Sequence, residues 1–440
     1  MREERIEVLV VGAGPVGLMT ALTLARAGVE SIVIDREPRT TSRSYACALH
    51  PRVLDLLAAA DLADELIAQG RKVDTVAFYE NAERRARVKV SDGSDKYPFL
   101  LILPQSTLES TLEAGLRDAG VEVRWGHRFD DLQQQPDAVE AMVEELEGTT
   151  GGYAVPHWEE LVKRRTPIYC RYLVGADGPN SLVRRRLGLD LRTTGPRQFY
   201  AAYEFEPGDK TEDELRIVLD ATTTNVLWPL PGNKLRWTFE MPEPGQDPEF
   251  PEKERRAIRL SHKIVDDEIR SYVETVAKNR APWFASGIKE ITWCTRVSFQ
   301  PRVAAAFGKQ NCWLAGDAAH QAGPAAAQSM NQGLIEAVNL AEAIIKIQKG
   351  EGDEQLLATY AQNSLETWQK MLGISGAAPP PKNGNAWTKD SGTLPYVGAF
   401  SVAPPKGSDA WLKANWNRIL PSLPATGDDL ARAALHVQAG

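Results

Sequence analysis

Gly12, Gly14 and Gly17 fall in the string Gly12-Ala-Gly-Pro-Val-Gly17, a spacing that can cradle a pyrophosphate. Gly12 permits a tight turn, Gly14 lets the main chain approach phosphate oxygens, and Gly17 allows a following helix to pack closely on its strand. The helix N-terminus that follows offers unpaired N–H groups and a partial positive charge. Asp35 lies eighteen residues after Gly17 and is followed by Arg36; a carboxylate there accepts hydrogen bonds from a ribose. Far along the chain, Tyr172-Leu-Val-Gly-Ala-Asp-Gly-Pro-Asn-Ser-Leu-Val-Arg184 puts Asp177 and Gly178 in a turn and opens a helix at Ser181. That turn is either a second cluster of donors beside a phosphate or ribose, or an ordinary turn capped by Asp177.

These groups need elements to hold them. Ile6 to Val11 is a short apolar run of strand type, Leu18 to Arg26 has helical periodicity, Gly28 stops it, and Ser31 to Ile34 forms a second strand ending at Asp35. A strand–helix–strand unit is the context a dinucleotide fingerprint requires. Pro51 starts a helix through Leu57, and another runs from Gln105 through Leu116. Val73 to Tyr79 and Ala86 to Val90 read as strands at a lobe boundary. Between Phe199 and Met241 the pattern turns to short alternating strands rich in aromatics, the signature of an antiparallel sheet. A charged helix is expected between Pro251 and Lys278. Asn311 to Ala315 is a buried strand leading into Gly316, and Gly333 to Ile347 is an amphipathic helix.

Composition narrows the class. The 440 residues, 43% hydrophobic and 25% charged, suffice for a large core in two interlocked lobes. A net charge of −8 argues against a nucleic-acid partner, and the short basic runs Arg84-Arg85 and Arg184-Arg185-Arg186 are flanked by acids. The four cysteines form no Cys-x-x-Cys pair and the six histidines have no ligand spacing, so neither disulfides nor a metal is expected. A reducing cytoplasm fits. Neither a signal peptide pattern nor an apolar run of membrane-spanning length is present, which disfavours secretion and membrane insertion.

In their order, the motifs resemble the single-component FAD-dependent aromatic hydroxylases, the group A flavoprotein monooxygenases typified by para-hydroxybenzoate hydroxylase. The resemblance extends over roughly residues 5 to 370. It rests on the glycine string, on Asp177-Gly178, and on Trp313-Leu-Ala-Gly-Asp-Ala-Ala-His320 continued through Pro324 to Asn331-Gln-Gly333. It implies an α/β fold: a Rossmann-like FAD-binding domain with an interleaved substrate domain on a mostly antiparallel sheet. The expected partition gives residues 1–75, 100–187 and 288–373 to the FAD-binding domain and 76–99 and 188–287 to the substrate domain. A Pro- and Trp-containing tail, 374–440, is expected to pack on the body.

The resemblance also implies site residues. Gly12, Gly14, Pro15, Val16, Gly17, Asp35, Arg36, Asp177 and Gly178 would hold FAD, with the Asp177-Gly178 pair also near the nicotinamide cofactor. Gln105, in Leu103-Pro-Gln-Ser-Thr-Leu-Glu109, would lie near the flavin. Gly316 and Asp317 would meet the ribityl chain. Pro324, Ala327, Gln328, Ser329, Met330 and Asn331 would form the loop and helix start facing the pyrimidine ring, where N–H donors stabilise negative charge. Asn331 also reads as a helix N-cap, a compatible role.

Two departures stand out. Ala327 and Ser329 flank Gln328 where the family usually has glycines, a strain on the order of 1–3 kcal/mol if either needs positive φ. Tyr45 stands where an arginine is commoner, with Arg43 as the substitute for reaching the pyrophosphate.

Trp228, Arg236, Trp237, Phe239 and Pro324 are candidates for the substrate pocket, and the sheet residues read equally as core packing. His127, His157 and His262 have no base or nucleophile paired with them, which suits flavin-centred chemistry in which protein groups orient and exclude water. The activity implied is hydroxylation of an aromatic or polyketide-like small molecule by FAD, NAD(P)H and O2 through a flavin C4a-hydroperoxide, in a monomer or homodimer. Epoxidation or dehydrogenation on the same fold, and a redox-silent flavin-binding protein, are the alternatives. The Trp-x-Trp-x-Ile-Pro string of halogenating relatives does not occur.

Overall fold

The fold is that of a computed structural model, which describes residues 4–41, 48–80, 82–89, 96–151, 157–209, 211–219, 223–243, 267–322 and 328–372. Arg43, Tyr45, Pro324, Ala327, the segment 251–266 and the tail 374–440 lie outside the described residues, as does the side chain of Gln328.

Val8, Leu9 and Val10 are fully buried because β1 (Glu4–Val11) runs through the middle of the first sheet. A strand covered on both faces reads as a continuous apolar run. α1 (Pro15–Arg26) follows, and Gly28, at φ +78°, turns the chain back into β2 (Ser31–Asp35). β3 (Ala48–Leu49), α2 (Pro51–Ala59), α3 (Ala63–Gln69), β4 (Arg71–Val73), β5 (Thr75–Glu80), β6 (Glu83–Lys89) and β7 (Leu100–Ile102) come next. α4 (Gln105–Asp118) then leads to β8 (Val123–Trp125), β9 (His127–Gln134), β10 (Val139–Gly151) and β11 (His157–Gly175). The first sheet is ordered β19 (Gly308–Lys309), β20 (Cys312–Leu314), β11, β1, β2, β8, with β10 on β11 and β9 on β10. Its central pairs are parallel, Val11 meeting Gly175 and Ile34, and this places the ends of β1, β2 and β11 at one edge.

α5 (Leu182–Arg186) and β12 (Leu191–Thr193) connect to the second sheet. Its strands are β13 (Gln198–Pro207), β14 (Leu215–Leu219), β15 (Thr224–Leu230), β16 (Lys234–Met241) and β17 (Ile288–Phe299), joined by β5 and β6 in the order β17-β13-β16-β15-β14-β5-β6. Only β14 and β5 run parallel there. α6 (Asp267–Arg280) packs on one face through Ile269, Tyr272, Val273 and Ala277. The boundary expected at residue 288 falls at the start of β17, which pairs along β13 and so lies in the second sheet.

β18 (Arg302–Ala304), β19 (Gly308–Lys309) and β20 (Cys312–Leu314) return the chain to the first body. A 3-10 turn at Gly316–Ala318 and β21 (His320–Gln321) follow, then α7 (Gln328–Gln348) and α8 (Gln355–Met371). α1 packs between α4 and α7, all three contributing to one core with β1 and β2. Among the described residues, no helix is long and apolar enough to cross a membrane.

Candidate functional site

Gly14 caps α1 in extended conformation without any side-chain hydrogen bond, and Pro15 takes the first helical position. The first-turn N–H groups therefore have no side-chain acceptor, and the space above Gly14 is open to 4 Å around the position a Cβ would take. Beneath, the loop is closed. Gly12 sits at φ +106°, and a side chain there would collide with the Ala176 carbonyl; a methyl on Gly17 would strike the Gly12 carbonyl oxygen. Contact with Ala176 brings the second motif to the loop.

Asp35 does more than the ribose role expected of it. Its Oδ2 accepts the Ala13 N–H at 2.7 Å and its Oδ1 the Glu37 N–H at 2.8 Å, so the carboxylate fixes the glycine loop to the end of β2. A carboxylate accepts about four bonds, which leaves capacity for a ribose. Arg36 is exposed beside Glu37, 3.7 Å away. Glu109, which the sequence reading did not single out, is 3% exposed. It accepts the Gln105 side-chain amide and the Thr41 N–H, each at 2.8 Å, and burial pushes its carboxyl upward. Gln105, expected near the flavin, thus opens α4 with its amide held by Glu109; only the Gln-x-x-x-Glu spacing on a helix hinted at that pair.

Asp177 serves as the cap that the plainer reading described. Its Oδ2 accepts from Leu182 and Val183 N–H at 2.7 and 3.1 Å, while its Oδ1 is buried with no hydrogen-bond partner. Gly178 beside it has φ +75°. Arg184, also missed, is buried and donates from Nη1 to the Ala318 carbonyl at 2.7 Å, joining the second motif to the third.

Gly316, at φ +64°, begins the 3-10 turn that presents Asp317. Its N–H donates to Glu336 Oε2 at 2.9 Å; the same oxygen is 2.9 Å from His320 Nε2, and Glu336 Oε1 accepts the Trp368 indole N–H at 2.7 Å. The Trp368 ring stacks on His320 at 3.7 Å between centroids. Asp317 contrasts with this network: among the described residues its carboxylate takes part in no hydrogen bond or ion pair. It keeps part of its surface open yet lies deep in the protein, and the resulting desolvation, reinforced by the nearby Glu336 charge, raises its carboxyl above the usual range, with His320 opposing. Asn331 lies in the first turn of α7 with its amide committed to the protein: Oδ1 accepts the His50 N–H at 2.9 Å and Nδ2 donates to the Ala48 carbonyl at 2.8 Å. It lies inside α7 and is a strut between that helix and β3. Ser329 Oγ accepts the Ala322 N–H at 3.2 Å, and Met330 packs partly buried on the main core.

The aromatic candidates divide between two faces. Side chains alternate along a strand. Trp237 and Phe239 share a cluster with α6, whereas Trp228 and Tyr200 share one with Ala48, Leu100 and Ile102. The Ala48 carbonyl accepts from Asn331, so the second face is the one toward β3 and the first turn of α7. Trp237 and Phe239, expected on the flavin wall, lie on the face covered by α6, stacked at 5.1 Å between ring centroids, and not on the Trp228 face. Arg236 keeps the Trp228 face, opposite it in register, and is bound to Glu204 at 3.0 Å through Nε with its guanidinium over Trp293. The thiols of Cys170 and Cys312 are pushed by burial to about 12, which makes neither a nucleophile at neutral pH.

The uncapped helix start, the open backbone at Gly14 and the lone Asp317 carboxylate fit a flavin dinucleotide, whose phosphates need N–H donors and whose ribityl hydroxyls need an acceptor. A family profile described as FAD binding domain matches residues 5–375. The chain belongs to this FAD-binding family. It is 33% identical over 376 residues to 6-methylpretetramide 4-monooxygenase of Streptomyces rimosus, covering 84% of this chain and 61% of that one. It is 27% identical over 373 residues to pentachlorophenol 4-monooxygenase of Sphingobium chlorophenolicum, covering 83% and 63%. The chain thus spans about three fifths of the length of these curated relatives. Its fold superposes on the crystal structure of p-nitrophenol 4-monooxygenase from Pseudomonas putida with a TM-score of 0.70, at 22% identity, over 99% of this chain and 98% of that one.

Proposed function

We propose that this chain is an FAD-dependent monooxygenase that uses NAD(P)H and O2 to hydroxylate an aromatic or polyketide-like small molecule. The observation that carries the reading is the Asp317 carboxylate, without a hydrogen bond among the described residues, in a turn whose Gly316 packs against Val16 at an uncapped helix start. When bound, FAD supplies the redox and oxygen chemistry. The protein's own residues bind and exclude water. The N–H groups of Val16 and Gly17 and the backbone at Gly14 would hold the pyrophosphate, Asp35 and Arg36 the adenosine end, and Asp317 the ribityl chain. The first turn of α7 at Gln328 to Asn331 would hold the flavin ring with the positive end of the helix dipole. Trp228 and its neighbours on the same face would wall off the substrate.

The domain division that accompanies this reading gives β5, β6 and β13 to β17 to the substrate body and the first sheet with its helices to the cofactor body. Free thiols at Cys170, Cys294 and Cys312 agree with work in a reducing cytoplasm. The test is turnover by the purified, FAD-loaded protein across a panel of phenols and polycyclic phenols. Stimulated NAD(P)H oxidation with a product heavier by one oxygen is the expected result. Loaded protein that shows no stimulation by any compound would sink the reading.

A further inference from the structure

We propose that the outer edge of β11 pairs antiparallel with the same edge of a second copy of this chain, the two-fold axis passing between Leu161 and Val162. The inference stands apart from the flavin reading and concerns the opposite end of the first sheet. Among the described residues, β1 joins β11 only from Ile168 onward, and β9 joins β10 only as far as Glu145. Beyond those points the hairpin runs on as a ribbon of two strands, Leu146 opposite Val162 and Gly151 opposite His157. No third strand lies beside it among the described residues. A two-stranded ribbon is marginal in water, and an edge without a ladder is a template for another strand.

The ribbon also carries apolar surface that the body leaves uncovered. Leu161 is 52% and Val162 44% exposed, and no other large apolar side chain among the described residues is exposed. Adjacent residues of a strand point to opposite faces, so a partner lying on one face would cover only one of the two. A strand added at the edge brings side chains beside both.

The order of charges selects the partner. By sequence β11 reads Glu159-Glu160-Leu161-Val162-Lys163-Arg164-Arg165, two acids before the apolar pair and three bases after it. Turned antiparallel on itself, the strand sets Leu161 opposite Val162, Glu160 opposite Lys163 and Glu159 opposite Arg164 of the second copy, so every charged pair is of opposite sign. The outer edge of β10 offers no such match, since Leu146-Glu147-Gly148 holds an acid and no base. Lys163 and Arg164 share one carboxylate of their own ribbon, Glu145, at 2.8 and 3.4 Å, and stay 56% and 63% exposed. Two bases on one acid leave positive charge for the acids of the second copy. A two-fold contact of this kind uses the same patch twice and closes at a dimer.

The dimer leaves the cofactor edge open. β11 ends at Gly175, opposite Val11 and next to the glycine loop. At about 3.3 Å per residue, Leu161 lies roughly 45 Å back along the strand from that end.

Sedimentation equilibrium of the full chain tests the pairing. The ribbon is small beside a standard interface, so a monomer–dimer equilibrium with Kd on the order of 10 µM is expected. Glu160→Lys and Lys163→Glu each set like charges opposite one another across the axis, and each is expected to raise Kd about tenfold or more. Mixed in equal amounts, the two variants should associate about as well as wild type, because each then meets the opposite charge. The double variant Leu161→Ser, Val162→Ser should sediment as a monomer with its urea midpoint and its FAD affinity unchanged. A wild-type chain that stays monomeric up to about 300 µM overturns the proposal. A dimer whose Kd neither charge variant alters overturns it too, and so does a mixture that associates as weakly as each variant alone.

Discussion

His320 Nε2 lies 2.9 Å from Glu336 Oε2, and that oxygen also receives the Gly316 N–H at 2.9 Å, so one carboxylate holds both ends of the turn that presents Asp317. With the Trp368 indole on its other oxygen, Glu336 accepts three N–H bonds while 0% exposed. Such a carboxylate leaves Nε2 as the proton-bearing nitrogen of His320 and Nδ1 buried without a partner. α7 and α8 are thereby fastened to the cofactor turn by polar contacts that a mere helix packing would not provide.

Glu336→Ala should therefore lower stability by about 3–5 kcal/mol, because three buried donors lose their acceptor together. Trp368→Phe keeps the ring on His320 and removes one donor, for a loss of about 1–2 kcal/mol. Urea unfolding midpoints measure both. Equal midpoints for Glu336→Ala and wild type would show that the network is not what holds the turn.

Gly17→Ala places a methyl against the Gly12 carbonyl, which is main chain and cannot swing aside. The expected outcome is separation of α1 from the loop and loss of the anion cradle, with protein that emerges colourless from gel filtration after loading with FAD. Gly14→Ala meets open space and should fold normally, so any fall in FAD retention there reports blocked access of the main chain to the phosphates. Retention of FAD by Gly17→Ala at the wild-type level would refute the close-packing argument.

The strand–helix–strand unit from Glu4 to Asp35 and the Gly316-Asp317 turn were legible because glycine spacing and apolar runs are local signals. The helices at Pro51 and Gln105 were legible for the same reason. The faces of the second sheet were not. Both are buried, one by α6 and the other by β3 and β7, so the alternation of Leu235, Trp237 and Phe239 with Arg236, Thr238 and Glu240 separates two sides without telling which of them meets β3. Arg236 sits between them with its charge met by Glu204, thirty-two residues earlier in the chain. Glu336 was hidden likewise: it reads as an ordinary helix residue until folding brings it under Gly316, and Asp35 and Asn331 revealed their main-chain contacts only in three dimensions.

The division of faces can be checked directly. Phe239→Ala should cost about 3–5 kcal/mol through cavity formation against α6 while leaving the phenol Kd of the folded fraction unchanged. Trp228→Ala should instead weaken phenol binding as well as stability, since Trp228 packs on the side of β3 and β7. A measured Kd that rises for Phe239→Ala and stays fixed for Trp228→Ala would reverse the assignment of the two faces.

Asp317 offers a pH signature. Its folded-state pKa is raised, mainly by desolvation, so between the ordinary aspartate value near 3.9 and the raised value the folded protein binds more protons than the unfolded chain. Stability linked to this group is therefore present below that ordinary value and is lost as pH rises through the folded-state pKa. Asp317→Asn removes the buried charge, so FAD-free Asp317→Asn should gain stability over wild type as pH rises from acid toward neutrality. The same variant should bind FAD about tenfold or more weakly, because an amide is a poorer acceptor for ribityl hydroxyls than a carboxylate. Opposite signs in the two measurements, urea midpoint against pH and FAD dissociation constant, identify a carboxylate kept for its ligand and not for folding. A variant that loses both stability and FAD affinity at neutral pH would place Asp317 among the structural residues of the turn.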